Sequence, residues 1–203
     1  MKKFFVAVLA AVSIVTANAQ QPVGTFSIQP KVGLNIASLT DTDDDDGART
    51  GFVIGVEGMH QASDNVGLSL GVLYSQQGAT GEDRDYDTTV KLDYINVPIM
   101  ANVYVVKGLA LKLGLQLGFL VNDKCEVKNS SFSAEVDLED AFKKLNIPIS
   151  VKSVDFSIPV GLSYEYSNVV LDARYNWGLT EVINGMDLSM KNSVFQFTLG
   201  YKF

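Results

Sequence analysis

From Leu109 to Val121 the chain reads LALKLGLQLGFLV, with a large apolar residue at every odd position. The even positions up to Gly118 carry Ala110, Lys112, Gly114, Gln116 and Gly118. A period of two marks a β-strand with unlike faces. A soluble sandwich would give its second face charged and β-branched residues. Gly, Ala, Gln and one Lys make a poor water-facing surface and a good lining for a narrow tube. The stretch therefore reads as a membrane strand, with leucines toward lipid and small polar groups toward a lumen.

The alternation recurs along the chain. Before this stretch it covers Phe26–Ile36, Phe52–Val56, Val66–Tyr74 and Ile95–Val103; after it come Val154–Tyr164, Val169–Trp177 and Phe195–Phe203. Roughly 10 to 11 residues at a 45° tilt cross a ~25 Å apolar band, and these segments, Phe52–Val56 apart, come near that length. Connections after the second, fourth and sixth strands are short, around Ser63-Asp64-Asn65, Lys107-Gly108 and Tyr166-Ser167-Asn168. The others are longer: 38–50, 78–88, 122–152 and 180–192. The expected fold is all-β: an eight-stranded antiparallel up-and-down transmembrane β-barrel with short periplasmic turns and long extracellular loops. Aromatic residues cluster near both strand ends, as two membrane interfaces require. Tyr74, Phe119, Tyr175 and Trp177 lie toward the loops, and Phe26, Tyr164, Tyr201 and Phe203 toward the turns. Pro30, Pro98 and Pro159 fall inside strands, where a closed barrel has no edge to hide them. Bulges, or carbonyls rescued by lumen side chains or water, are expected there.

The N-terminus sets the compartment. Lys2 and Lys3 precede the apolar run from Phe4 to Val15, and Ala17-Asn18-Ala19 follows. That order predicts a cleaved signal peptide over residues 1–19 and an outer-membrane barrel domain over 20–203. The apolar run is shorter than the roughly 20 residues of a spanning helix. The net charge of −7 argues against nucleic acid. Cys125 is the single cysteine, so it reads as an unpaired loop thiol.

Inward parity gathers Lys31, Glu57, Lys112, Asp172 and Arg174. A barrel of eight strands is just wide enough for its own side chains, and buried charges must pair. A mutually satisfied salt-bridge network filling the lumen is expected, not an ion-conducting pore. Asp41 to Gly47, DTDDDDG, is strongly acidic, as are Glu82, Asp83, Asp85 and Asp87. Aligning Gly47 with the glycine of a calcium loop puts Thr42 first and Val53 last, so this is no EF-hand. The Asp41–Asp46 run reads as a solvated acidic loop, with weak cation binding as the alternative. Asp137 to Leu145, DLEDAFKKL, predicts a short amphipathic helix lying on the barrel mouth or outer leaflet, against a frayed loop. His60, the sole histidine, falls near a periplasmic turn with no serine or acid grouped around it. No catalytic, cofactor-binding or metal-ligating set emerges, and the chain reads as a non-enzyme.

LDYINVPIMANVY at 92–104, NVVLDARYNWGL at 168–179 and the closing FQFTLGYKF resemble the PorT-like outer-membrane β-barrel proteins of Bacteroidetes-type bacteria, of the OmpA/OmpX-like eight-stranded kind. That resemblance implies an outer-membrane barrel with no assigned catalytic residues. The alternating terminal aromatics Tyr201 and Phe203 resemble the signal read by the barrel-assembly machinery. The expected function is an integral outer-membrane protein with a filled, non-conducting lumen and surface-exposed acidic loops, serving as scaffold or binding protein. Its partners would be outer-membrane lipid, the barrel-assembly machinery and an extracellular or secretion-system protein. An accessory of an envelope secretion or assembly machine is the first alternative. A lipid-modifying enzyme is the second. A soluble lipocalin-type carrier is a third, and would need the apolar residues inside.

Overall fold

Period-two alternation becomes strand wherever the chain is described. The computed structural model describes residues 21–40, 46–83, 86–129, 132–138, 150–184 and 190–203. The expected signal segment, Asp41 to Asp45 and most of the expected helix lie outside these residues. The strands are β1 (Phe26–Leu39), β2 (Asp46–Ser63), β3 (Val66–Asp83), β4 (Tyr86–Val106), β5 (Leu109–Asn129), β6 (Phe132–Asp137), β7 (Ser150–Val151), β8 (Val154–Tyr166), β9 (Val169–Glu181), β10 (Ile183–Asn184) and β11 (Lys191–Tyr201). Eight of them pair antiparallel in the order β1–β2–β3–β4–β5–β8–β9–β11, and β11 returns to β1 over Lys31↔Gly200 to Leu39↔Asn192. The ring is closed. Closure satisfies backbone groups that lipid could not.

The three short turns fall as expected, at Asp64-Asn65, Lys107-Gly108 and Ser167-Asn168. Gly108 and Ser167 take φ values of 86° and 57°, the left-handed conformations that tight hairpins favour. The faces also fall as expected. Leu113 and Leu115 on β5 are 58% and 52% exposed on the outside, while Lys112 and Gln116 between them are buried. A leucine-filled interior, as in a lipocalin, is excluded.

Two expectations need correction. First, the connection over 78–88 is not a loop: β3 and β4 run on to Asp83 and Tyr86 as one hairpin. β5 likewise continues to Asn129 and turns back as β6. Strands β2 to β5 therefore have 18 to 21 residues, against 11 to 14 in β1, β8, β9 and β11. The excess projects beyond the apolar band on one side. There Leu39, Ala79, Leu92, Tyr94, Leu138 and Val182 form an apolar cluster inside the mouth. Of the expected helix, Asp137 ends β6 and Leu138 is buried in this cluster; residues 139–145 lie outside the described residues.

Second, no register shift occurs at the prolines. In an antiparallel ladder a residue presents N–H and C=O to the same neighbour, so a proline breaks pairing on one side only. Pro30 keeps its pair with Val56 on β2. Toward β11 the ladder stops at Lys31↔Gly200, and resumes in the same register through the Ile28–Phe203 hydrogen bonds. Pro98 pairs with Gln116 but not across β3, where Leu70↔Ile99 is followed by Leu73↔Asn96. Pro159 pairs with Asn176 but not across β5. Gly71 stands where Pro98 needs room; a Cβ there would lie 3.2 Å from the Pro98 ring. The bulges lie elsewhere, as between Asp93 and Tyr94.

Candidate functional site

Five charged side chains from four strands meet in the lumen: Lys31 of β1, Glu57 of β2, Lys112 of β5, and Asp172 and Arg174 of β9. Inward parity aims them there, and glycine makes room beside them. Lys31 stands between Gly55 and Gly200, Glu57 beside Gly71, and Lys112 and Arg174 on either side of Gly161. A Cβ at Gly161 would approach Arg174 Cα to 2.8 Å. A larger residue would clash with the β9 backbone at Ala173 and Arg174.

Each of the two carboxylates contacts all three cations. Glu57 lies 3.1 Å from Lys31 Nζ, 3.0 Å from Lys112 Nζ and 3.1 Å from Arg174 Nη2. Asp172 lies 3.2 Å from Lys31, 2.5 Å from Lys112 and 2.9 Å from Arg174. Arg174 grips Asp172 as a fork, donating from Nε and Nη2 at 2.9 Å each. Such bidentate, charge-assisted bonds are the strongest available to a buried pair. The expected five-residue network is present, with each member 4% exposed or less.

Other polar clusters lie above and below it, and parity alone did not single them out. Toward the turns, Glu165 accepts from Tyr104 at 2.6 Å and from Lys202. Both Glu165 and Lys202 continue inward runs, as Ser163–Glu165 and Gly200–Lys202, and that phase was the available signal. Toward the loops, Asp93 accepts from Tyr74 at 2.9 Å, Asn122 at 3.1 Å and Arg49 at 3.3 Å. Beyond it, Lys91 reaches Glu126 and Glu135 at 2.8 and 2.6 Å, and Lys124 reaches Glu135 at 2.7 Å. Those lysines hold the Glu135 carboxyl down to about 2. Cys125 is half-buried against the mouth cluster, and burial pushes its thiol up. His60 is exposed on the outer wall, opposite Phe26 and Leu68. Of the acidic loop residues, Asp41 to Asp45 and Asp85 lie outside the described residues.

A closed antiparallel ring with an aliphatic exterior, a polar interior and aromatics near both ends of its outer wall defines a membrane-spanning β-barrel. Trp177 and Phe119 are exposed at the loop end, and Phe26, Tyr201 and Phe203 at the turn end. The chain belongs to the outer membrane protein β-barrel domain family, whose model matches residues 18–184. It is an outer-membrane protein, and its outer wall contacts lipid. Among solved structures it is similar to Ail, the attachment invasion locus protein of Yersinia pestis (16% identity, 90% of this chain and 100% of that one, TM-score 0.49). It is also similar to Neisserial surface protein A (15%, 88% and 97%, TM-score 0.49). A third is Escherichia coli outer membrane protein W (14%, 91% and 100%, TM-score 0.40). Comparison with curated protein sequences finds no match.

Proposed function

We propose that this protein is an outer-membrane scaffold with a filled, non-conducting lumen, presenting acidic loops to an extracellular or secreted partner. One observation carries the reading: the five central charges pair with one another at 2.5 to 3.2 Å across the lumen, each 4% exposed or less. The apolar cluster at the mouth supports it. A conducting pore of this strand number would need lumen charges facing water. Residues 1–19 serve as the cleaved signal, and the strand ending in Phe203 as the assembly signal. The reading is non-enzymatic: His60 sits on the lipid-facing wall between Phe26 and Leu68.

Purified protein in planar bilayers tests the lumen. The expected record has no stepwise conductance, and reproducible open steps would overturn the reading. The strands projecting beyond the apolar band offer a surface for a second reading, an accessory of a secretion machine that contacts its partners through loops or periplasmic turns. Deleting the gene and comparing the secreted proteome separates the two, because an unchanged secretome sinks the second.

A further inference from the structure

Asp155 is the first inward side chain of β8 and is 6% exposed. The register shows what surrounds it. β5 sets Gly118 across from it, and β4 sets Asn96 across from Gly118. A Cβ at Gly118 would lie 2.8 Å from Asn96 Oδ1, 3.3 Å from Tyr94 Cδ1 and 3.4 Å from Asp155 Cβ, so these three side chains gather over that glycine. From β11, Asn192 lies within hydrogen-bonding reach of Asp155 and donates to the Tyr94 hydroxyl at 3.3 Å. β9 brings Gly178 and Thr180, and Thr180 Oγ1 accepts from Phe156 N–H at 2.9 Å.

No cation stands against this carboxylate among the described residues. Lys152 and Lys191 lie at the rim, Lys152 3.6 Å from Glu181 and Lys191 across from Glu181 in the ladder. Lys112 and Arg174 lie further toward the turns, held by Glu57 and Asp172. Asp123 of β5 is a second acid near Tyr94. Asp155 Oδ1 has no hydrogen-bond partner among the described residues, and neither has Asn192 Oδ1. A buried carboxylate in this state is costly, and burial favours its neutral form. Lys31, Lys112, Arg174 and Lys202 favour the charged form, because Asp155 completes their balance with Glu57, Asp172 and Glu165. They act from further down the lumen, where distance weakens the pull.

We propose that Asp155 is a proton-binding site at the mouth of the lumen, charged at neutral pH and neutral in mild acid, whose protonation tightens the apolar cover above it. The neutral carboxyl carries an O–H donor. A half-turn of the neighbouring amide brings Asn192 Oδ1 round to accept it, so that one proton satisfies both unpartnered oxygens. Tyr94 carries the effect upward. Its hydroxyl bonds to Asn192, and its ring packs in the cluster with Leu39, Leu92, Leu138 and Val182. A charged Asp155 holds water against the underside of that cluster, and the neutral acid does not.

The test uses the mature chain refolded from urea into detergent. The folded barrel binds the proton more tightly than the unfolded chain, so stability should rise as pH falls from about 8 to about 5. Asp155→Asn should mimic the acid form: its urea midpoint should exceed the parent's at about pH 8, and the excess should shrink away near about pH 5. With aspartate carboxyl carbons labelled, the Asp155 signal of the parent should titrate at least about one unit above the ordinary 3.9, a tenfold gain in proton affinity. That measurement carries the test should the variant fail to fold. Cys125, packed against the same cluster, reports on the cover. Its maleimide labelling should be faster in the parent than in Asp155→Asn at about pH 8, and equal in the two near about pH 5. A smaller rise in the Asp155 titration, or a folded variant whose midpoint excess is the same at both pH values, would overturn the proposal. A labelling ratio that does not change with pH would overturn the tightening of the cover. Bilayer conductance is a separate measurement, so failure here leaves the filled-lumen reading standing.

Discussion

Glu57 and Lys31 face one another at 3.1 Å, yet removing them should have very different consequences. Glu57→Met leaves three cations around one carboxylate. Removing one member of a buried ion pair costs about 3–5 kcal/mol, because the other charge is left uncompensated. Glu57 compensates three cations at 3.0 to 3.1 Å, which puts the loss near the upper end, about 5 kcal/mol. Lys31→Met instead leaves Lys112 and Arg174 against Glu57 and Asp172, a balanced set. It gives up two contacts, at 3.1 and 3.2 Å, and relieves repulsion from two other cations. Replacement of a surplus buried charge by a hydrophobe of similar reach should leave stability within about 1 kcal/mol of the parent. The assay is urea unfolding of the refolded barrel, followed by the fluorescence of Trp177 and by gel mobility. With slopes of about 1–3 kcal/mol/M, the two variants should differ in midpoint by more than about 1 M. Equal midpoints for the two variants, or a lower one for Lys31→Met, would refute the electrostatic reasoning.

Two further outcomes test the outer wall and the projecting strands. Leu115 is 52% exposed midway along the lipid-facing part of β5, so Leu115→Arg should cost about 2–4 kcal/mol, against about 0–1 for Tyr201→Arg near the turn end. Equal costs in the same titration would contradict the assigned depth. Lys124 and Lys91 depress the Glu135 carboxyl to about 2 from its ordinary 4.5. Because the folded value is the lower one, these ion pairs contribute fully above pH 4.5 and fade as pH falls toward 2. An NMR titration of the Glu135 carboxyl carbon should therefore stay flat from pH 7 to 4.5, and a midpoint near 4.5 would show the pairs absent in solution.

The strands that cross the membrane, their three tight turns and the five central charges could all be read from period-two alternation. Each depends on which face a residue occupies, and parity along a strand settles that. The prolines were less legible, because bulging is only one way to lose an N–H. Pro98 lies opposite Gly71 and Pro159 opposite the position of Gly114, so the ladder opens on one side without slipping. Glycine at these places serves proline as well as the lumen. Parity left open how the five charges pair, each carboxylate meeting all three cations.

What the periodicity concealed is the mouth. Along β4 the exposed apolar residue Ile99 belongs to the odd, outward face of the membrane-spanning part. Above it Leu92 and Tyr94, on the even, inward face, are each 1% exposed. On β4 the backbone does not change phase there and the solvent does, while β5 carries one extra residue opposite Asp93 and Tyr94, which turns Lys124 to the outer face. Inside the bilayer the apolar face belongs outside, and beyond it the outer face meets water, so the apolar face belongs inside. On that outer face Lys91 and Lys124 are then free to reach Glu126 and Glu135, which the strand register of β4, β5 and β6 sets alongside them. A reversal of hydrophobic phase within one uninterrupted strand is thus the mark of the bilayer surface. In this chain it falls between Tyr94 and Ile95, and explains how a segment that resembles a polar loop continues as strand around a core of its own.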